Sequence, residues 1–245
     1  MTRSVEIGSC LSRSWALYKS EFGLIFVTTL VINIASSAAS GIPYIGVLIG
    51  LALNGVLFGG LYWFYLKLIR GQKAELADAF AGFQIALVPL MLASIVSGIL
   101  ILIVMGIVLL PILITWIPLL IKFSKDPALN PDVLLAALGA GTILNVLFCA
   151  VVAMVLYLLW VFAFPLIIDK RMQFWEAMET SRKAVMSNFG SVFGLFFVGG
   201  LLILGGLIAC CIGVFFTLPI FFGSIAYAYE DLFGGSEQTH QPYPK

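Results

Sequence analysis

The sequence predicts an all-α integral membrane bundle of about six transmembrane helices, arranged as three hairpins that are each preceded by a cytoplasmic amphipathic helix. Three observations carry this expectation. Residues 22–66, 79–121, 133–168 and 184–229 contain no Asp, Glu, Lys, Arg or His, and each run exceeds the ~20 apolar residues that cross a bilayer. Hydrocarbon leaves the backbone to satisfy its own hydrogen bonds, and continuous rather than alternating apolar runs favour helices over a barrel. Across 245 residues, 62% are hydrophobic and 10% charged, against roughly 25% charged in a soluble domain.

A single membrane domain is expected over residues 1–232, with 233–245 as a flexible polar tail. The first amphipathic stretch sets Ile7, Leu11, Trp15 and Tyr18 on one face against Glu6, Ser9, Arg13 and Ser20 on the other, a pattern suited to the membrane surface. The first span covers 22–41, and Gly41-Ile42-Pro43 is a turn signal leading to the second, 44–69. Leu76, Phe80 and Phe83 make a weaker amphipathic stretch before the third span, 84–109. Ile107–Phe123 is apolar but holds Pro111 and Pro118, so 110–140 is expected to be an outer-face or re-entrant segment before the fourth span, 141–168. The third amphipathic stretch opposes Phe174, Met178, Ser181 and Val185 to Glu176, Glu179 and Lys183, with Glu179 and Lys183 at ion-pair spacing. Spans at 189–209 and 211–231 complete the set.

Charge sets the orientation. With six spans and the N-terminus inside, Arg3, Arg13, Lys19, Lys67, Arg70, Lys73, Lys170, Arg171, Arg182, Lys183 and Lys245 are all cytoplasmic, and only Lys122 and Lys125 lie outside. A seventh span at 107–123 would invert Lys170 and Arg171, against the positive-inside rule. Both termini are therefore expected in the cytoplasm. Ala38-Ala39-Ser40 loosely resembles a signal-peptide cleavage site, but Glu6 and Glu21 in a long leading segment argue against one. Ser20-Glu21-Phe22-Gly23 and Ser187-Asn188-Phe189-Gly190, each opening a span, point to an internal repeat.

Arg70-Gly71-Gln72 followed by Asp78-Ala79-Phe80-Ala81-Gly82-Phe83 resembles the loop between the second and third spans of a broad group of bacterial integral membrane proteins. That group looks related to the membrane domain attached to some glycerophosphoryl diester phosphodiesterases. Pro165-Leu166-Ile167-Ile168-Asp169, Ser187-Asn188-Phe189-Gly190, Ile212-Gly213 with Pro219, and Ala226-Tyr227-Ala228-Tyr229-Glu230-Asp231-Leu232 fit the same pattern. The resemblance implies a six-helix fold without a catalytic domain, because the phosphodiesterase chemistry of that family belongs to a separate soluble domain. The apolar segment around 107–123 departs from the simplest family pattern.

The membrane interior offers no titratable group for acid–base work, which disfavours proton-coupled pumps, His-based proteases and carboxylate metal centres. The sole histidine, His240, lies in the tail. Cys10, Cys149, Cys210 and Cys211 have no metal-ligand spacing and read as reduced packing residues. Glu75 with Asp78 is the nearest catalytic candidate, yet an Asp there is far more often a helix cap. No catalytic, cofactor or metal site is expected, and the net charge of +1 gives no reason to expect nucleic acid.

Small polar residues do enter the spans. Gly46, Gly50 and Asn54 recur every four residues, Gly55 and Gly59 form a second GxxxG, Gly141, Asn145, Cys149 and Ala153 repeat the stripe, and Gly190 and Gly194 open the fifth span. The glycines are candidate helix-packing positions, and Asn33, Asn54 and Asn145 are a candidate polar groove for a lipid headgroup or neutral solute. Pro165 and Pro219, near repeat ends, are the pair of span interruptions that merit inspection. Three functions stay open: a non-enzymatic protein of the bacterial inner membrane that engages membrane lipids in lipid handling or envelope homeostasis; a scaffold docking another membrane protein; and a facilitative carrier for a neutral solute. A homo-oligomer is compatible with the GxxxG faces.

Overall fold

The computed structural model describes residues 5–41, 46–125, 139–208 and 213–234. The expected turn at Ile42-Pro43, the adjacent Cys210 and Cys211, His240, and all of the polar tail beyond Gly234 lie outside the described residues. Among the described residues six helices are long and apolar enough to cross a membrane: Phe22–Ser40, Gly46–Ile69, Leu87–Pro111, Thr142–Lys170, Phe189–Ile208 and Gly213–Phe233. Among the described residues there is helix and turn and no strand.

Ten α-helices are found among the described residues: α1 (Ile7–Ser20), α2 (Phe22–Ser40), α3 (Gly46–Ile69), α4 (Gly82–Ile85), α5 (Leu87–Lys125), α6 (Ala140–Leu159), α7 (Ala163–Lys170), α8 (Phe174–Ser187), α9 (Phe189–Ile208) and α10 (Gly213–Phe233). A 3₁₀ helix, Leu76–Phe80, precedes α4. Within the segment read as one domain, contacts group into two compact units, Met1–Ile95 with Leu158–Lys245, and Val96–Tyr157.

The first unit is built on α3, which packs against α2, the 3₁₀ helix, α4, α7 and α10. Its inward face carries Val56, Leu61, Phe64, Tyr65 and Leu66, which meet a core completed by Leu166, Ile167 and Ile168 of α7 and by Ile225, Ala226 and Tyr229 of α10. Lipid tails are as apolar as these side chains, so close contact and hydrogen bonding, not water expulsion, hold such helices together. Glycine provides the closeness. A Cβ on Gly60 would strike the Ala79 carbonyl, and one on Gly82 would strike the carbonyl of Val56. The segment 76–85 is thereby laid directly against the α3 backbone.

Two breaks place a proline in the first turn of a new helix, where its missing N–H costs little. Pro89 is the third residue of α5 after a break at Ala86 (φ −152°, ψ 43°). Pro165 is the third residue of α7 after a turn at 160–162. The expected fourth span, 141–168, is therefore two helices, one on each side of that turn.

The larger difference lies in α5. The sequence reading ends the third span at 109 and makes 110–140 a separate segment, whereas one helix continues through Pro111 and Pro118 to Lys125. A proline in an apolar helix costs one backbone hydrogen bond and bends the axis, but it need not end the helix when no water competes for the freed carbonyl. In the second unit, α6 and its stretch of α5 keep large apolar side chains outward, Ile114 at 71%, Leu144 at 65% and Phe148 at 59% exposure, the surface that a lipid solvent covers.

Candidate functional site

The C-terminal ends of α3, α7 and α10 meet in a charged lock. Helix α3 stops at Gly71, whose φ of 68° is left-handed. The Gly71 N–H donates to the Leu68 carbonyl at 3.0 Å, and the Gln72 N–H to that of Lys67 at 2.9 Å. This is a Schellman stop. It aims Arg70 at α7 and α10: Nη1 and Nη2 donate to Asp169 at 2.6 and 2.9 Å, and Nη2 also reaches Glu230 at 3.0 Å. The Tyr229 hydroxyl donates to Asp169 at 2.8 Å. Asp169 is only 6% exposed, so the fork and the phenol replace its water. Hydrogen bonding to Asp169, more than any other cause, holds the Arg70 guanidinium above its ordinary pKa.

Beside this lock, Arg13 of α1 forks onto Asp231, with Nη1 to Oδ1 at 3.0 Å. The Cys10 thiol donates to the same carboxylate at 3.5 Å. Burial, followed by the Asp231 charge, pushes that thiol up to about 11. Lys67 pairs with Asp78 at 2.8 Å, and Asp78 also accepts the Glu75 N–H at 2.8 Å, as in a capping box. Asp78 thus serves as a cap and ion-pair partner. The residues brought together here come largely from the motifs that carry the family resemblance, and nothing in their spacing foretold that they would converge.

The two matched tetrads have similar local geometry. Glu21, between α1 and α2, has φ −121° and ψ 38°, and Asn188, between α8 and α9, has φ −126° and ψ 28°. Ser20 Oγ donates to the Leu17 carbonyl at 2.9 Å and Ser187 Oγ to that of Ala184 at 3.0 Å. The buried stripes also correspond: Cys10, Ser14 and Tyr18 in α1, Ala177, Ser181 and Val185 in α8. Each buried serine reaches a proline-interrupted span. Ser14 Oγ donates to the Ile220 carbonyl at 2.7 Å, next to Pro219. Ser181 Oγ donates to the Leu159 carbonyl at 2.9 Å and accepts the Phe162 N–H at 3.2 Å, closing the turn before Pro165. The Tyr65 hydroxyl contacts Thr29 Oγ1 at 3.0 Å and donates to the Pro219 carbonyl at 3.0 Å. Gly223 leaves the space for Ser14 and Tyr65, a role the sequence reading missed.

The expected faces need one correction. In α1 the docked residues are Cys10, Ser14 and Tyr18, while Trp15, assigned with Tyr18 to a single apolar face, is 48% exposed. In α8 the docked face includes Met178, Ser181 and Val185 as expected, and Trp175 is 65% exposed. Glu179 pairs with Lys183 at 3.4 Å, but Arg182 takes both of its oxygens at 2.8 Å. Arg182, ahead of Lys183, lowers the Glu179 carboxyl to about 2.

A cleft of about 360 Å³ opens between the α4–α5 junction and the end of α7. Ile85, Ala86, Leu87, Val88, Pro89, Ile167 and Met172 give apolar walls, and Arg171 is the single charge. Arg171 ends α7 with a φ of 53°, in the left-handed region, and its Nη1 donates to the Ile85 carbonyl at 3.1 Å.

Each predicted asparagine has a local partner. Asn54 accepts from Ser36 Oγ at 2.7 Å, Asn33 Nδ2 donates to the Thr29 carbonyl at 2.8 Å, and Asn145 accepts from the Cys149 thiol at 3.5 Å. Asn33 and Asn54 belong to the first unit and Asn145 to the second. Among the predicted packing glycines, Gly46 and Gly50 abut Ser40, Gly55 and Gly59 abut Leu90, and Gly194 abuts Ile7. Gly190 differs: a Cβ there meets nothing within 4 Å. Comparison with protein-family models, curated proteins and solved structures finds no match for this chain.

Proposed function

We propose that this chain is a non-enzymatic, lipid-interacting protein of the bacterial inner membrane, with both termini cytoplasmic, acting in lipid handling or envelope homeostasis. One observation carries this reading. Helices α1 and α8 are equivalent by repeat, each joins a span through a single non-helical residue, and each docks by a stripe containing a buried serine while its tryptophan stays exposed. A short helix held at the start of a span with a free tryptophan is built for the headgroup region, where Trp side chains partition. The Lys19 ammonium lies 5.7 Å from the Trp15 ring centre, placing a cation beside that anchor. On this reading the spans form three hairpins, each entered from a cytoplasmic interfacial helix, and the family resemblance to a domain tethered to lipid-headgroup enzymes agrees with it.

The test is extraction from native membranes into polymer nanodiscs, without detergent, followed by lipid and protein mass spectrometry. The expected result is enrichment of one lipid class over the bulk membrane with no stoichiometric protein partner. Bulk lipid composition in the discs, and no lipid movement in proteoliposomes, would refute it. A second reading has its own support: Gly200 and Gly205 of α9 face open space, a small-residue surface suited to another helix. A stoichiometric membrane-protein partner in the same discs would favour that scaffold role.

A further inference from the structure

We propose that the cleft beside Arg171 binds one anionic phospholipid, its phosphate on the Arg171 guanidinium and an acyl chain along Val88 and Pro89. The inference rests on the lipid-interacting reading and adds a site and a lipid class to it. Seven of the eight lining residues are apolar and the eighth is a cation, with no carboxylate on the wall. That is the complement of a molecule with an anionic head and a hydrocarbon body. The volume, about 360 Å³, lies within the ~300–1,000 Å³ range of small-molecule sites, enough for the headgroup end of a lipid whose chains continue outside.

Position supports the same occupant. Leu87 opens one candidate span and Lys170 closes another, so a cleft between Ile85 and Met172 sits at the depth where headgroups lie. Val88 is 61% exposed, leaving the cleft open on its apolar side. The guanidinium is also oriented in advance. One N–H is committed to the Ile85 carbonyl at 3.1 Å, which holds the planar fork whose other donors match phosphate better than a lysine would. Position 171 adopts a backbone conformation that favours glycine (φ 53°), and a helix stop alone would be served better by that residue. An arginine there is accounted for by what its side chain does.

The experiment is native mass spectrometry of the full chain, released from detergent with matched-chain phosphatidylglycerol and phosphatidylcholine in equal amounts. Wild type is compared with Arg171→Gln, Arg171→Lys, Arg171→Gly and Val88→Trp, each checked by its unfolding temperature. Wild type should retain a single phosphatidylglycerol. Arg171→Gln and Arg171→Gly should lose its retention by about tenfold or more, as expected for removing a charge-assisted phosphate contact. Arg171→Lys should keep part of it. Val88→Trp should lose it with the charge intact, because the indole fills the apolar wall. Inorganic phosphate at millimolar concentration should not displace the lipid; displacement would overturn the lipid assignment in favour of a soluble phosphate site. If wild type enriches a lipid but the variants retain it equally, the cleft is wrong and the lipid reading stands. If wild type retains no lipid class, both fall.

Discussion

Arg70 is the residue on which three helix ends depend, since one guanidinium serves Asp169 and Glu230. Removing it strands a carboxylate that is 6% exposed. Breaking a fully buried pair costs ~3–5 kcal/mol, and with Arg70 itself 29% exposed Arg70→Gln is expected to cost about 2 kcal/mol. Arg70→Lys should recover only part of this, because an ammonium cannot fork across two oxygens; thermal unfolding in mild detergent compares all three. Cys10 supplies a pH-dependent readout. Its folded pKa, about 11, lies above the ~8.5 of a free thiol, so the protonated form is favoured by folding. The stabilisation is complete below the free-thiol value and is lost as pH rises through about 11. In a chain whose other three cysteines are alanine, Cys10 should resist alkylation at pH 8 and react faster with each step towards pH 11. Rapid labelling at pH 7 would contradict the burial that causes the shift.

At the scale of elements, the two serines that meet proline-interrupted spans do unequal work. Ser181 satisfies both the Leu159 carbonyl and the Phe162 N–H, while Ser14 satisfies the Ile220 carbonyl alone. Ser181→Ala leaves a buried donor unpaired and should cost about 2 kcal/mol, whereas Ser14→Ala should cost about 1 kcal/mol. Urea unfolding in detergent measures the totals. Limited proteolysis gives the local signature: Ser181→Ala should expose the turn at 160–162 before the rest of the chain opens. Much of this element was legible. The matched Ser-x-Phe-Gly tetrads marked two junctions of similar local geometry, and Pro165 and Pro219 marked the spans to inspect. What stayed hidden was the face of α1 that docks. A rule learned from soluble proteins turns the apolar face inward, but small and hydrogen-bonding side chains dock as well as apolar ones where a close partner is available, so a stripe of Cys10, Ser14 and Tyr18 docks while Trp15 stays exposed. The charged lock was hidden for another reason: Arg70, Asp169 and Glu230 are far apart in the chain, and their pairing depends on where each helix stops.

For the whole molecule, six helices of span length and apolarity were legible because a charge-free run is a direct measure of what hydrocarbon accepts, while the length of α5 was not, because a helix can continue through prolines without any change in pattern. Its 39 residues have a contour length of about 58 Å at ~1.5 Å per residue, well beyond the ~30 Å hydrocarbon core. One end must therefore leave the membrane unless the prolines turn it back. The basic residues choose which. Arg171 is bonded to the segment just before α5, and Arg70, Lys67 and Arg13 belong to the same unit, so the proposed orientation, with both termini cytoplasmic, puts the start of α5 in the cytoplasm by the positive-inside rule. Under that proposal Lys122 and Lys125, in its last turn, are expected outside. In a cysteine-free chain, Lys125→Cys should react with a membrane-impermeant maleimide applied to spheroplasts, and Lys73→Cys only after permeabilisation. Labelling of both residues from one side would contradict a crossing by α5 and with it the proposed orientation. Labelling from opposite sides requires that α5 cross, as the proposed placement of α1 and α8 on one leaflet demands.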